Sequence, residues 1–157
     1  MTGGFLSAFT AFHVGISLIG IGAGFIALFG FMAGRALRLM NYLFLVMTIL
    51  TSVTGFFFPF KGITPGIVIG VISLLVLAVS VLAWRKGWSK TYIITAAIAQ
   101  FFNVLVLVVQ SFQKVPPLHA LGPTGKEPII AITQLTALAV IGVLAVVAAR
   151  RSSTVLG

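Results

Sequence analysis

The chain contains no cysteine and a single acidic side chain, Glu127. The first absence removes disulfides, thiolate nucleophiles, zinc–thiolate centres and iron–sulfur clusters. The second removes catalysis by a pair of carboxylates and an all-carboxylate calcium site. Charge of either sign is scarce: 7% of the 157 residues are charged and 60% are hydrophobic, against about 25% charged in an ordinary soluble domain. That composition excludes a soluble globular domain.

Functional signatures are missing as well. There is no Walker A sequence, no Gly-x-Ser-x-Gly elbow and no His-Glu-x-x-His pair, and no carboxylate lies inside an apolar run. An ATP-driven pump, a serine hydrolase, a zinc protease and a carboxylate-coupled antiporter are therefore disfavoured, and the reading leans away from an enzyme. Gly20, Gly22 and Gly24 do not form a dinucleotide fingerprint, because Phe25 stands where the third glycine belongs and no strand precedes them.

What is present is a set of five long runs free of Lys, Arg, Asp and Glu: Phe9 to Phe31, Met40 to Phe58, Gly66 to Trp84, Thr91 to Ser111 and Ile129 to Ala149. Each approaches the roughly 20 helical residues that a hydrocarbon core of about 30 Å requires. The expected fold is all-α: a polytopic integral membrane protein forming one bundle of five transmembrane helices over residues 1–157. The second run is the weakest, with Asn41 at one end and Pro59 beyond the other, and re-entry in place of a full crossing is the alternative there.

The ten basic residues divide unevenly between the ends of these runs. Arg35, Arg38, Arg85, Lys86, Lys90, Arg150 and Arg151 fall on one side, and Lys61, Lys114 and Lys126 on the other. The positive-inside rule then places the N-terminus outside and the C-terminus in the cytoplasm of a bacterial plasma membrane. No Lys or Arg precedes the first run, which reads as a retained anchor and not a secretory signal. Tyr42, Trp84, Trp88 and Tyr92 are expected at the cytoplasmic interface, where amphipathic rings sit. The net charge of +9 is dispersed between apolar runs, so nucleic acid is not an expected partner and the lipid bilayer is.

Three connections are short, whereas residues 112–128 form a longer outer loop containing His119 and Glu127. All six prolines are assigned to this outer side, which suggests a rim of fixed shape, although proline also marks ordinary helix ends. Glycines four apart, at Gly20 and Gly24, Gly30 and Gly34, and Gly66 and Gly70, are candidates for close helix packing within the chain or with a second copy.

Helical spacing sorts the polar residues onto faces. Thr10, His13, Ser17, Gly20 and Gly24 share one face of the first run, and Gln100, Asn103 and Gln110 line the fourth. Amides are costly in hydrocarbon, so that stripe should face inward, either cross-linking helices or lining a pocket. Three functions follow as expectations. The first is binding or passage of a small, largely apolar ligand in an outer-leaflet cavity lined by His13, Ser17, Gln100, Asn103, Gln110 and His119. The second is an accessory or assembly subunit, with a homo-oligomer or a membrane partner. The third is a redox or metal-binding protein in which His13 and His119 hold haem.

Overall fold

The computed structural model describes residues 3–152 and 154–156. Among the described residues there is no strand, and five helices are long and apolar enough to cross a membrane. They are α1 (Gly3–Met32), α2 (Arg38–Gly55), α3 (Pro65–Lys86), α4 (Ser89–Lys114) and α6 (Pro128–Arg151), with a short α5 (Pro116–Leu121) between the last two. The 18 residues of α2 give about 27 Å of helix, close to the thickness of the hydrocarbon core. The 30 residues of α1 give about 45 Å, so α1 begins well before the expected Phe9.

Local chemistry explains the helix ends. Thr64 caps α3 by accepting the Ile67 amide proton at 3.3 Å, and Pro65 occupies the first turn. Pro128 likewise opens α6, and Pro116 and Pro117 open α5, positions at which the missing amide proton costs nothing. Four of the six prolines therefore start helices. Pro59 disfavours helical geometry at the residue before it, and α2 accordingly stops at Gly55 and turns through Phe56 and Phe57. The connection over residues 112–128 is not irregular throughout: α5 stands within it and packs on α4.

α4 is the central helix, in contact with α1, α3, α5 and α6, while α1 packs most extensively on α2. The α1–α2 pair is antiparallel and closely zipped. His13 faces Thr54, Ser17 faces Thr51, Gly20 faces Thr48 and Met47, and Gly24 faces Phe44, so each turn up α1 meets one turn down α2. A Cβ on Gly24 would overlap Gln100 Oε1 and stand 2.8 Å from Phe44 Cδ2, and one on Gly20 would lie 3.2 Å from Met47 Cβ. Lipid supplies no hydrophobic drive between helices, so this close approach, with its dispersion contacts and hydrogen bonds, is what holds the pair.

The other glycines divide. Gly70 lies under the Phe56 ring, where a Cβ would be 3.0 Å from Cζ. Gly30 meets Leu37 and the Arg35 carbonyl of its own following turn, not another spanning helix. Gly34 corrects the packing expectation, because it lies beyond α1 in a left-handed turn at φ 71° with open space where a side chain would be. Gly66 corrects it too: it sits in the first turn of α3 and a Cβ there would touch only Thr64.

Contacts at the ends order the bundle. Ser152 Oγ donates to the Phe31 carbonyl, Arg151 donates to the Met32 carbonyl at 3.3 Å, and the Leu156 amide donates to Ser89 Oγ at 2.8 Å. The C-terminal ends of α1 and α6 thus share one end of the bundle with the start of α4. The seven clustered basic residues lie at this end, and the prolines, Lys61, Lys114 and Lys126 at the other.

Candidate functional site

The polar stripe of α4 ties the centre of the bundle together. Gln100 is buried and its Nε2 donates to the Ile21 carbonyl of α1 at 2.8 Å. One turn further, Asn103 Nδ2 donates to Thr48 Oγ1 of α2 at 3.1 Å. Gln110 does not share this environment. It is exposed, one turn from the end of α4, where its amide can reach water instead of a neighbouring helix.

Two more cross-links stand on α4 that spacing alone had not singled out. Tyr92 is fully buried and its hydroxyl donates to Asn41 Oδ1 at 2.6 Å, while Asn41 Nδ2 donates to the Leu37 carbonyl at 2.8 Å. Tyr92 therefore departs from the interfacial position expected of it, whereas Tyr42 and Trp88 are exposed. Trp84 bridges the two settings, edge-on to Tyr42 and packed against Tyr92 at a ring separation of 4.9 Å. Toward the basic end, Ser80 Oγ of α3 donates to Thr95 Oγ1 at 2.8 Å, and the Thr95 proton goes to the Thr91 carbonyl. The signal for Tyr92 was present in the spacing, since Tyr92, Ala96, Gln100 and Asn103 follow helical steps along one face.

The two histidines have separate partners. His13 Nδ1 lies 2.7 Å from Thr54 Oγ1, whose own proton is given to the Leu50 carbonyl at 2.7 Å. His13 Nδ1 is therefore the donor, leaving Nε2 with its lone pair. The ring also stands edge-on to Phe58 at 5.1 Å. His119, in the last turn of α5, donates from Nδ1 to the Phe112 carbonyl at 3.2 Å. Ser17 Oγ donates to the His13 carbonyl at 2.7 Å and lies 3.3 Å from Thr51 Oγ1. Each of these groups is engaged in joining neighbouring elements. Among the described residues no group of three or more His, Cys, Asp or Glu side chains gathers as a metal-ligand set.

A groove of about 430 Å³ runs between α4 and α6. Its floor is made of small side chains, Ala97 on α4 and Gly142, Ala145 and Ala149 on α6. Phe101 and Leu138 bound it toward the middle of the bundle, and Lys90 and Arg150 flank it at the basic end. A Cβ built on Gly142 would meet nothing within 4 Å, so the missing side chain there is part of the open space. From Lys90 to Phe101 the groove follows about 16 Å of helix, close to one leaflet's share of the hydrocarbon core. None of the six polar residues singled out from the sequence lines it, and it lies toward the basic end, away from the loop that carries His119.

Comparison with known proteins returns no matching family model, no matching curated protein and no matching solved structure.

Proposed function

We propose that this chain is a multi-pass membrane protein that holds an apolar, chain-like ligand in the lateral groove between α4 and α6. The observation that carries the reading is the groove itself: about 430 Å³ lined by Ile, Ala, Val, Leu and Phe side chains and a bare Gly142. Its size falls within the roughly 300–1,000 Å³ typical of small-molecule sites. Water would find too few polar partners along such a floor to be held there, whereas hydrocarbon fits it without loss. The groove wall offers no hydroxyl, thiol, imidazole or carboxylic acid, and its polar groups are the exposed side chains of Lys90 and Arg150 at one end, which suits binding better than a reaction.

The distribution of seven basic residues against three supports an orientation with the basic end in the cytoplasm and the start of α1 outside. On that orientation the groove belongs to the cytoplasmic leaflet, opposite to the outer-leaflet cavity expected from the proline-rich loop.

The test is photolabelling in reconstituted vesicles with a fatty acid bearing a diazirine on its chain. Labelled peptides are expected from α4 and α6 around Ala97, Phe101 and Ala145, and Gly142→Leu should reduce that labelling by filling open space. Labelling spread evenly over all five spanning helices, unchanged by Gly142→Leu, would overturn the reading.

A further inference from the structure

The groove is apolar along its length but not at its end. Lys90 comes from the first turn of α4 and Arg150 from the last turn of α6, and the antiparallel packing of the two helices brings both to the same mouth. Both side chains are exposed. The neighbouring Arg151 is directed elsewhere, to the Met32 carbonyl of α1. The chain's one acidic side chain, Glu127, is at the opposite end, where its carboxylate accepts from Thr124 and from the Lys126 amide. The cationic mouth thus has no acidic side chain of this protein to neutralise it.

Building on the reading above, we propose that the occupant is an anionic phospholipid, with one acyl chain along the Ala97–Gly142–Ala145 floor and its phosphate between Lys90 and Arg150. An ammonium and a guanidinium flanking one phosphate give charge-assisted hydrogen bonds that a zwitterionic headgroup, carrying its own cation, satisfies less well. The depth of the groove matches one leaflet, so the phosphate and the two cations meet at the headgroup level. A second copy of the chain is the poorer occupant. Inserted in the same orientation, it would bring its own seven clustered basic residues to the same end and place like charges together at the mouth.

The experiment is native mass spectrometry of the intact chain released from nanodiscs of equal phosphatidylglycerol and phosphatidylcholine with identical acyl chains. The wild type should retain phosphatidylglycerol over phosphatidylcholine by about thirtyfold, the effect of two interfacial cations acting together. The double variant Lys90→Gln/Arg150→Gln should lose that preference while still retaining lipid. Arg35→Gln/Arg38→Gln, which changes the same net charge away from the groove, should keep it. Absence of a preference in the wild type, its survival in Lys90→Gln/Arg150→Gln, or its loss in Arg35→Gln/Arg38→Gln would overturn the headgroup assignment and leave the groove reading standing. Retention of both lipids by Gly142→Leu at the wild-type level would overturn the groove reading itself. A stoichiometric disulfide dimer formed through Ala145→Cys in place of lipid retention would assign the groove to a second copy and overturn the phospholipid.

Discussion

The Tyr92 hydroxyl and Asn41 Oδ1 meet at 2.6 Å with both side chains buried, so Tyr92→Phe leaves an amide oxygen without its donor. Hydrogen bonds between membrane helices contribute about 1 kcal/mol each, and the expected loss is of that size in reversible unfolding from mixed micelles. A double-mutant cycle with Asn41→Leu should return a coupling of the same magnitude, and simple additivity would show that the pair does not stabilise the fold. Gly24→Ala is expected to cost more, about 1–3 kcal/mol, because the new methyl would overlap Gln100 Oε1 and crowd Phe44. Among the described residues that oxygen is buried without a hydrogen-bond partner, and the bond from Gln100 Nε2 to the Ile21 carbonyl is what a shift of the side chain would strain. Unchanged unfolding of Gly24→Ala would contradict the packing described. Gln100 and Asn103 were legible from their spacing because an amide surrounded by hydrocarbon has only other helices to turn to. Tyr92 lies on that same helical face, but neither its burial nor the exposure of Gln110 follows from spacing, for one shared reason. Near a helix end water competes with the bundle for a polar group, and whether a neighbouring helix supplies a partner at that level, as Asn41 does for Tyr92, decides between them.

Between α3 and α4 the chain turns at Gly87, whose φ of 71° is left-handed and whose successor Trp88 donates its amide to the Ala83 carbonyl at 2.9 Å. Gly87→Ala should therefore cost about 1 kcal/mol, read as a lower unfolding midpoint, whereas Gly142→Ala in α6, at negative φ and with open space around it, should be neutral or stabilising. A reversed order would overturn the assignment of Gly87 as the turn residue. In the loop before α6, bonds from the Thr124 hydroxyl and amide hold the Glu127 carboxyl down to about 2 from an ordinary 4.5. A lowered value in the folded loop means that the carboxylate's contribution is present above the ordinary value and is lost as pH falls from about 4.5 toward about 2. Amide exchange at Thr124 and Lys126 should accelerate over that window relative to the intrinsic rate, and Glu127→Gln should remove the pH dependence. The five spanning helices were legible as elements, since apolar length is a direct physical requirement of crossing. α5 was not, because six residues are too few to show a period and its two leading prolines read equally well as loop.

At the scale of the whole molecule the proposed orientation is testable with single cysteines, since the chain has none of its own. Thr124→Cys in intact cells should react with a membrane-impermeant maleimide, and Thr154→Cys should react only after permeabilisation; the opposite pattern would invert the orientation. The end contacts make a related expectation. Ser152→Ala removes the donor to the Phe31 carbonyl and should loosen the basic end, seen as faster exchange there with little change around His13 and Thr54. The number of long apolar helices and the asymmetry of charge between the two ends were legible in composition and spacing. The groove was not, because it is made by what Gly142, Ala97, Ala145 and Ala149 omit, and small residues in sequence do not reveal whether a neighbour fills the space above them. The zipped register of α1 and α2 also bears on how the protein is made. His13 and Ser17 find their partners in Thr54 and Thr51, on the very next helix to leave the ribosome. The first two helices can therefore partition into lipid as a single hairpin with these groups already masked, and lengthening the turn at residues 33–37 should impair biogenesis before it impairs the finished bundle.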